Sequence, residues 1–317
     1  MSTDSFRTPP WRTRLVPGVL LPRGRFAWWY FALGAAVMAG GLTIAGWVHH
    51  RWAQGGSVLT HAGVLLYGLV FICTALLTPW LASGRVYAND YPAPGGLIGW
   101  RMGVVTLMTV TIQIAVTIFE STVQDARQAS ETVARSLGLG RGLWPDTAMV
   151  LAVTVLAPLG EEWLFRGLFF RSLRDGLARW MPLTLAACIG TALSSLLFAL
   201  VHTGDGQMTQ WPALFIMGML LALTYEWTGS LLAPMLVHAL NNMFALLGTL
   251  AVPGVQLSGS WVFFLVASAP VIVATVGTRL LHRLPRLALP PPLPAPGNRP
   301  VAERQSPGPA HPPDSSR

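Results

Sequence analysis

Residues 156–170 read LAPLGEEWLFRGLFF, and this stretch decides how the rest of the chain is read. It lies inside a long apolar run, yet Glu161, Glu162 and Arg166 fall within six residues of one another. An ionised side chain at the centre of a bilayer costs about 3 kcal/mol even on the mildest scale. If the run crosses a membrane, these groups must be paired or must face a protein-lined, hydrated interior. The helical period separates them. Glu162 and Arg166 are four apart, on nearly one stripe and in the favoured acid-before-base order, so they can neutralise each other. Glu161 points elsewhere and has no partner nearby in sequence, which makes it a functional candidate.

Composition supports the membrane reading. The 317 residues are 52% hydrophobic and only 11% charged, with mean hydropathy +0.51. A soluble domain is typically about 25% charged. Eight apolar stretches approach the roughly 20 residues that a span needs: Phe26–Val48, Val58–Ala82, Met102–Phe119, Thr147–Phe170, Leu183–Val201, Trp211–Tyr225, Ser230–Leu250 and Ser260–Leu281. The predicted fold is therefore all-α, a polytopic transmembrane helical bundle of about eight spans. Cys73 and Cys188 both lie in apolar runs and read as packed thiols.

All 21 basic residues are arginine. With the N-terminus in the cytoplasm, sixteen of them fall in inner segments and four in outer loops, and Arg166 is intramembrane. The positive-inside rule thus predicts cytoplasmic N- and C-termini. This placement explains the net charge of +8 without nucleic acid, which is excluded as a partner. The chain divides into a cytoplasmic N-terminal segment (1–25), N-terminal transmembrane helices and loop (26–143), a polar-residue-bearing core (144–250), a last helix (251–284) and a tail (285–317). The tail is Pro-rich and expected to be disordered. The mixed-charge stretch through the 120s to 140s reads as a short surface helix.

Two more polar intrusions follow the glutamates. FALVH ends the fifth span at His202, one turn after Phe198, and HALNN places His238, Asn241 and Asn242 in the seventh. Pro158 and Pro234 each precede a polar cluster by a few residues. Proline removes a helix hydrogen bond, and irregular backbone at membrane depth persists only in protein or beside a cavity. An unpaired glutamate, two histidines and an asparagine on three spans point to one hydrated cavity.

In their order on successive helices, EEWLFR (EExxxR), FALVH (FxxxH) and HALNN (HxxxN) resemble the CPBP family of intramembrane proteases. That family groups type II CAAX prenyl endopeptidases with bacteriocin-processing and bacteriocin-immunity proteins, also called the Abi family. The resemblance covers about Trp144 to Leu250. It implies that Glu161 is the catalytic carboxylate and that His202 helps bind or activate the attacking water. It further implies that His238 and Asn242 complete the site, as water or metal contacts or as oxyanion stabilisers. Glu162, Arg166 and Phe198 would support it.

Peptide hydrolysis needs an activated water, a proton acceptor and a stabilised oxyanion. His202 and His238 could hold Zn²⁺, with Glu161 or Asn242 as a third ligand; alternatively both act only through hydrogen bonds. One geometric problem stands. By these spans Glu161 lies in the cytoplasmic half and His202 near the outer end of its helix, roughly 10 Å or more apart in depth at about 1.5 Å per residue. Either the fifth span is displaced or tilted, or the segment after it dips inward.

The expected function is an intramembrane endopeptidase, CPBP-type, of the bacterial inner membrane, acting on a membrane-associated peptide or protein. The alternative is a non-enzymatic immunity or scaffold protein, or a proton-coupled transporter.

Overall fold

The computed structural model describes residues 26–53, 57–83, 100–123, 139, 142–202, 210–249 and 260–283. The N-terminal segment, residues 124–138 of the mixed-charge stretch and the Pro-rich tail lie outside the described residues. Eight helices and no strands are present among those described: α1 (Trp29–Ala53), α2 (Ser57–Ser83), α3 (Trp100–Val123), α4 (Leu143–Leu177), α5 (Leu183–Val201), α6 (Trp211–Thr228), α7 (Leu232–Thr249) and α8 (Ser260–Arg283). One helix thus stands at each predicted span. Five of them, α1, α3, α4, α5 and α8, are long and apolar enough to cross a membrane. Apolar stretches among the described residues also lie within α2, Gly68–Ala82, and α7, Leu232–Gly248. Both cysteines are free thiols, exposed on the helix surfaces.

The helices alternate in direction around α4. Phe31 meets Phe169, and Gly176 lies against Trp28, so α1 runs antiparallel to α4. On α2, Gly68 approaches Leu156 while Phe71 meets Phe165, so α2 runs parallel to it. Short connections enforce the alternation further on. The turn from α6 to α7 is made at Gly229, whose φ of 63° is left-handed and suits a residue without a Cβ. Pro212 and Pro234 fall in the first turns of α6 and α7, where a missing N–H breaks no helix bond.

α4 is the buried axis. In its most apolar window 72% of the residues are buried, against 17–44% for the other four spanning helices. Its 35 residues exceed the predicted 24, extending by one turn before Thr147 and by two after Phe170. The helix reads on past Phe170 because its next charges are buried in pairs, whereas the sequence pattern alone assigns them to a loop. Leu164, Phe165, Leu168, Phe169 and Phe170 form the centre of the largest core cluster, with Tyr225 and Phe198 packed on them.

Two small-residue pairs, Ala36/Gly40 and Gly218/Ala222, suit close helix packing by sequence. Only the second is used so. A Cβ at Gly218 would come within 2.9 Å of Ser195, whereas one at Gly40 would meet nothing.

Candidate functional site

α4 is not a uniform α-helix. Ala152–Leu156 and Trp163–Phe170 are π-helical, and the α-turn Ala157–Glu162 between them carries both glutamates. The first π segment has a cause. Ala157 N–H bonds to Ala152 O, five residues back. In that register the next carbonyl, Val153 O, would take its donor from residue 158, which is proline. The side chain of Asn242 supplies the missing donor, with Nδ2 at 2.8 Å from Val153 O. A residue predicted for chemistry thus also ties α7 to the backbone irregularity in α4.

Glu162 is completely buried and holds two partners on one oxygen. Arg166 Nη1 donates to its Oε1 at 2.7 Å, and His238 Nδ1 lies 2.8 Å from the same atom. Arg166 Nη2 donates to Gly218 O on α6 at 3.0 Å. Its guanidinium also lies 4.7 Å from the ring centre of Phe198. The i,i+4 pair inferred from the wheel is present, and it extends to two further helices.

Glu161 faces the histidines. Its Oε2 is 3.3 Å from His202 Nε2 and 4.0 Å from His238 Nε2, and no side chain or backbone group completes a hydrogen bond to it. The two ring tautomers follow from their other contacts. His202 Nδ1 lies 2.6 Å from Phe198 O, which can only accept, so Nδ1 carries the proton. His238 Nδ1 donates to Glu162 for the same reason. In the neutral rings, both Nε2 atoms therefore present lone pairs toward a carboxylate oxygen. With neutral rings three acceptors converge; either a further proton on His202, making an ion pair with Glu161, or a donor from outside the protein satisfies them.

Phe198 spaces this cluster. Its ring centre lies 4.5 Å from that of His202 and 5.9 Å from that of His238. The side chain of His202 is 29% exposed, against 6% for Glu161 and 4% for His238, so the cluster opens at the end of α5.

The depth problem has a simple resolution. α5 packs antiparallel on the second half of α4: Gly190 sits against Phe170 and Arg174, and Phe198 against Phe165. Sixteen residues separate Glu161 from the true end of α4, and nineteen separate the start of α5 from His202. The two are level because α4 runs on to Leu177.

The pattern reading missed two features. Gln113 on α3 donates from Nε2 to Asn241 Oδ1 at 3.0 Å. A lone glutamine in an apolar run was the available signal. The second is a buried ion network: Arg171 pairs with Asp175 at 2.9 Å, Arg174 with Asp175 at 2.7 Å, and Arg174 with Glu226 at 3.0 Å. Arg171 Nη1 also approaches the Tyr225 hydroxyl at 3.4 Å. Arg171 and Arg174 were counted as inner-loop charges; they are buried in α4. Excluding them still leaves the arginine balance on the N-terminal side.

Residues 143–244 match the family model of type II CAAX prenyl endopeptidases, Rce1-like. The match spans both glutamates, both histidines and the asparagine pair. This segment carries the match to the CPBP family. The chain is 28% identical over 165 residues to the membrane-embedded CAAX protease MroQ of Staphylococcus aureus (strain USA300), covering 52% of this chain and 61% of that protein. It is 33% identical over 95 residues to an uncharacterized 24.3 kDa protein of Escherichia coli, covering 30% of this chain and 41% of that one. The chain thus spans about two-fifths to three-fifths of the length of these relatives. No solved structure matches.

A metal is one way to satisfy converging acceptors in this segment. A usual catalytic zinc has three protein ligands. Among the described residues no three His, Cys, Asp or Glu side chains are grouped to hold one ion, and Asn242 is committed to Val153 O. Glu161, whose Oε2 stands 3.3 and 4.0 Å from the two Nε2 atoms, is then the remaining candidate for a third ligand.

Proposed function

We propose that the protein is an intramembrane endopeptidase in which Glu161 activates water for attack on a peptide bond. The observation that carries this reading is the buried Glu161 Oε2, faced by two imidazole Nε2 atoms and bonded to no protein donor. A water set between Glu161 and His202 donates both protons, one to each acceptor, and turns its lone pairs outward. As its oxygen attacks the substrate carbonyl, an O–H bond breaks, a C–O bond forms and Glu161 takes the proton. The proton then passes to the departing amine as the C–N bond breaks. Glu162, fixed by Arg166, stabilises a positive charge on His238 should the proton rest there. Asn242 Nδ2 carries a second N–H, which has no acceptor among the described residues and suits the oxyanion.

The substrate class is a membrane-associated peptide or protein, reaching the site at the end of α5. The setting is the bacterial inner membrane, with both termini cytoplasmic, on the arginine balance. Purified protein is incubated in liposomes with a library of amphipathic and membrane-anchored peptides, and new termini are read by mass spectrometry. The expected result is cleavage by the wild type and none by Glu161→Gln. Identical peptide patterns from the two would overturn the reading and favour a scaffold role.

A further inference from the structure

Gln113 lies outside the matched domain, in the α3 stretch TVTIQIAV. We propose that it is a positioning residue for Asn242, acting through Asn241. This rests on the peptidase reading, because Asn242 is the residue there assigned to the oxyanion.

The orientation of three amides carries the argument. Val153 O only accepts, so the NH₂ end of Asn242 must face it, at 2.8 Å. Asn242 Oδ1 is then left to accept, and Asn241 Nδ2 lies 3.3 Å from it. Asn241 Nδ2 also lies 3.6 Å from Met217 Sδ, a second weak acceptor, so its NH₂ end is used on both sides. Asn241 Oδ1 therefore faces α3, where Gln113 Nε2 donates at 3.0 Å. The three amides point one way, from Gln113 to Val153.

Turning Asn241 or Asn242 end for end sets like group against like at both of its amide contacts, and turning Gln113 does so at Asn241 Oδ1. In a water-poor interior such mismatches are costly, because nothing else can satisfy the groups. Val153 O fixes the direction of the row at one end, and Gln113 supplies the donor that closes it at the other, on Asn241 Oδ1. That donor holds the Asn241 amide, and through it Asn242, in the orientation that leaves a second N–H for the oxyanion of the peptidase reading. α3 is part of the functional unit, although the family match begins at residue 143.

The decisive variant is Gln113→Glu, which keeps size and shape but offers an acceptor to Asn241 Oδ1. We expect kcat for peptide cleavage to fall by about tenfold, below the 10²–10³ for outright loss of an oxyanion donor, with KM unchanged. In an Asn242→Leu background the same change should alter kcat by less than about twofold, because coupled residues are not additive. An unchanged kcat in Gln113→Glu, or a full loss in both backgrounds, would overturn the proposal. The contact is tested apart from activity by a thermal cycle of Gln113→Leu and Asn241→Leu. Non-additive melting shifts support it, and strictly additive shifts overturn the relay alone. A wild type no more active than Glu161→Gln would overturn the peptidase reading and the positioning role with it, whatever the melting shifts.

Discussion

His238 Nδ1 stands 2.8 Å from Glu162 Oε1, and that contact joins α7 to α4 across 76 residues of sequence. It fixes which nitrogen of His238 carries the proton. It also separates the adjacent glutamates into two roles: Glu162 is held by Arg166 and His238 on one oxygen, while Glu161 turns its Oε2 toward the Nε2 atoms of His202 and His238.

The first prediction follows for Glu161. Glu161→Gln is nearly isosteric and should leave the melting temperature near that of the wild type. Cleavage should fall by about 10²-fold or more, the scale of a lost general base. The check is kcat on a cleaved peptide alongside a thermal melt in detergent; retained kcat with an unaltered melt would refute the assigned role.

Glu162 should behave in the opposite way. Glu162→Gln removes the counter-charge of Arg166, which is buried. Stranding a buried charge costs about 3–5 kcal/mol, so folding yield and melting temperature should drop sharply. Glu162→Gln combined with Arg166→Met should recover much of the stability. A singly substituted protein as stable as wild type would contradict the pairing.

Pro158 offers a test of the π segment. Pro158→Ala supplies an N–H that can bond Val153 O within the helix and compete with Asn242. We expect thermal stability to hold or rise while kcat falls several-fold. Parallel losses of stability and kcat would show that the proline serves packing only.

On metal dependence, the proposed mechanism uses Glu161 as the base rather than as a third ligand beside His202 and His238. Prolonged dialysis against a strong chelator should therefore leave kcat within about twofold, well short of the loss expected when a catalytic metal is withdrawn. A larger loss, restored by Zn²⁺ and accompanied by stoichiometric zinc in elemental analysis, would assign a metal to His202 and His238.

The ion network should matter to stability and not to chemistry. Glu226→Leu removes the α6 carboxylate that pairs with Arg174 across the α4–α6 contact. Melting should fall markedly, while kcat per folded molecule stays near wild type. A kcat effect without a melting effect would place Glu226 in the reaction.

Much of this was legible in the chain. Apolar runs located the eight helices, because membrane helices must be continuous in hydropathy. The i,i+4 rule gave Glu162–Arg166, and the same rule applied to Arg171 and Asp175 would have found that pair. Residues 52 apart, such as Arg174 and Glu226, meet only because α4 and α6 run parallel, and no local pattern encodes that. The two arginines were therefore misplaced in a loop. The end of α4 was drawn at Phe170 for the same reason, and it created the depth mismatch between Glu161 and His202. The π register was hidden because it arises from a carbonyl that Pro158 cannot serve and a side chain 89 residues away that can.

The charges of α4 also bear on how the chain is built into the bilayer. Glu162–Arg166 and Arg171–Asp175 are closed within the helix itself and travel with it as it leaves the translocation machinery. Glu161 and Arg174 find their full complement only once α5, α6 and α7 have been synthesised. Newly made α4 should thus wait at a sheltered site, or sit shallow, until three further helices emerge. The same groups that make the mature interior polar would then set the order of assembly, and truncation before Glu226 should leave α4 poorly integrated.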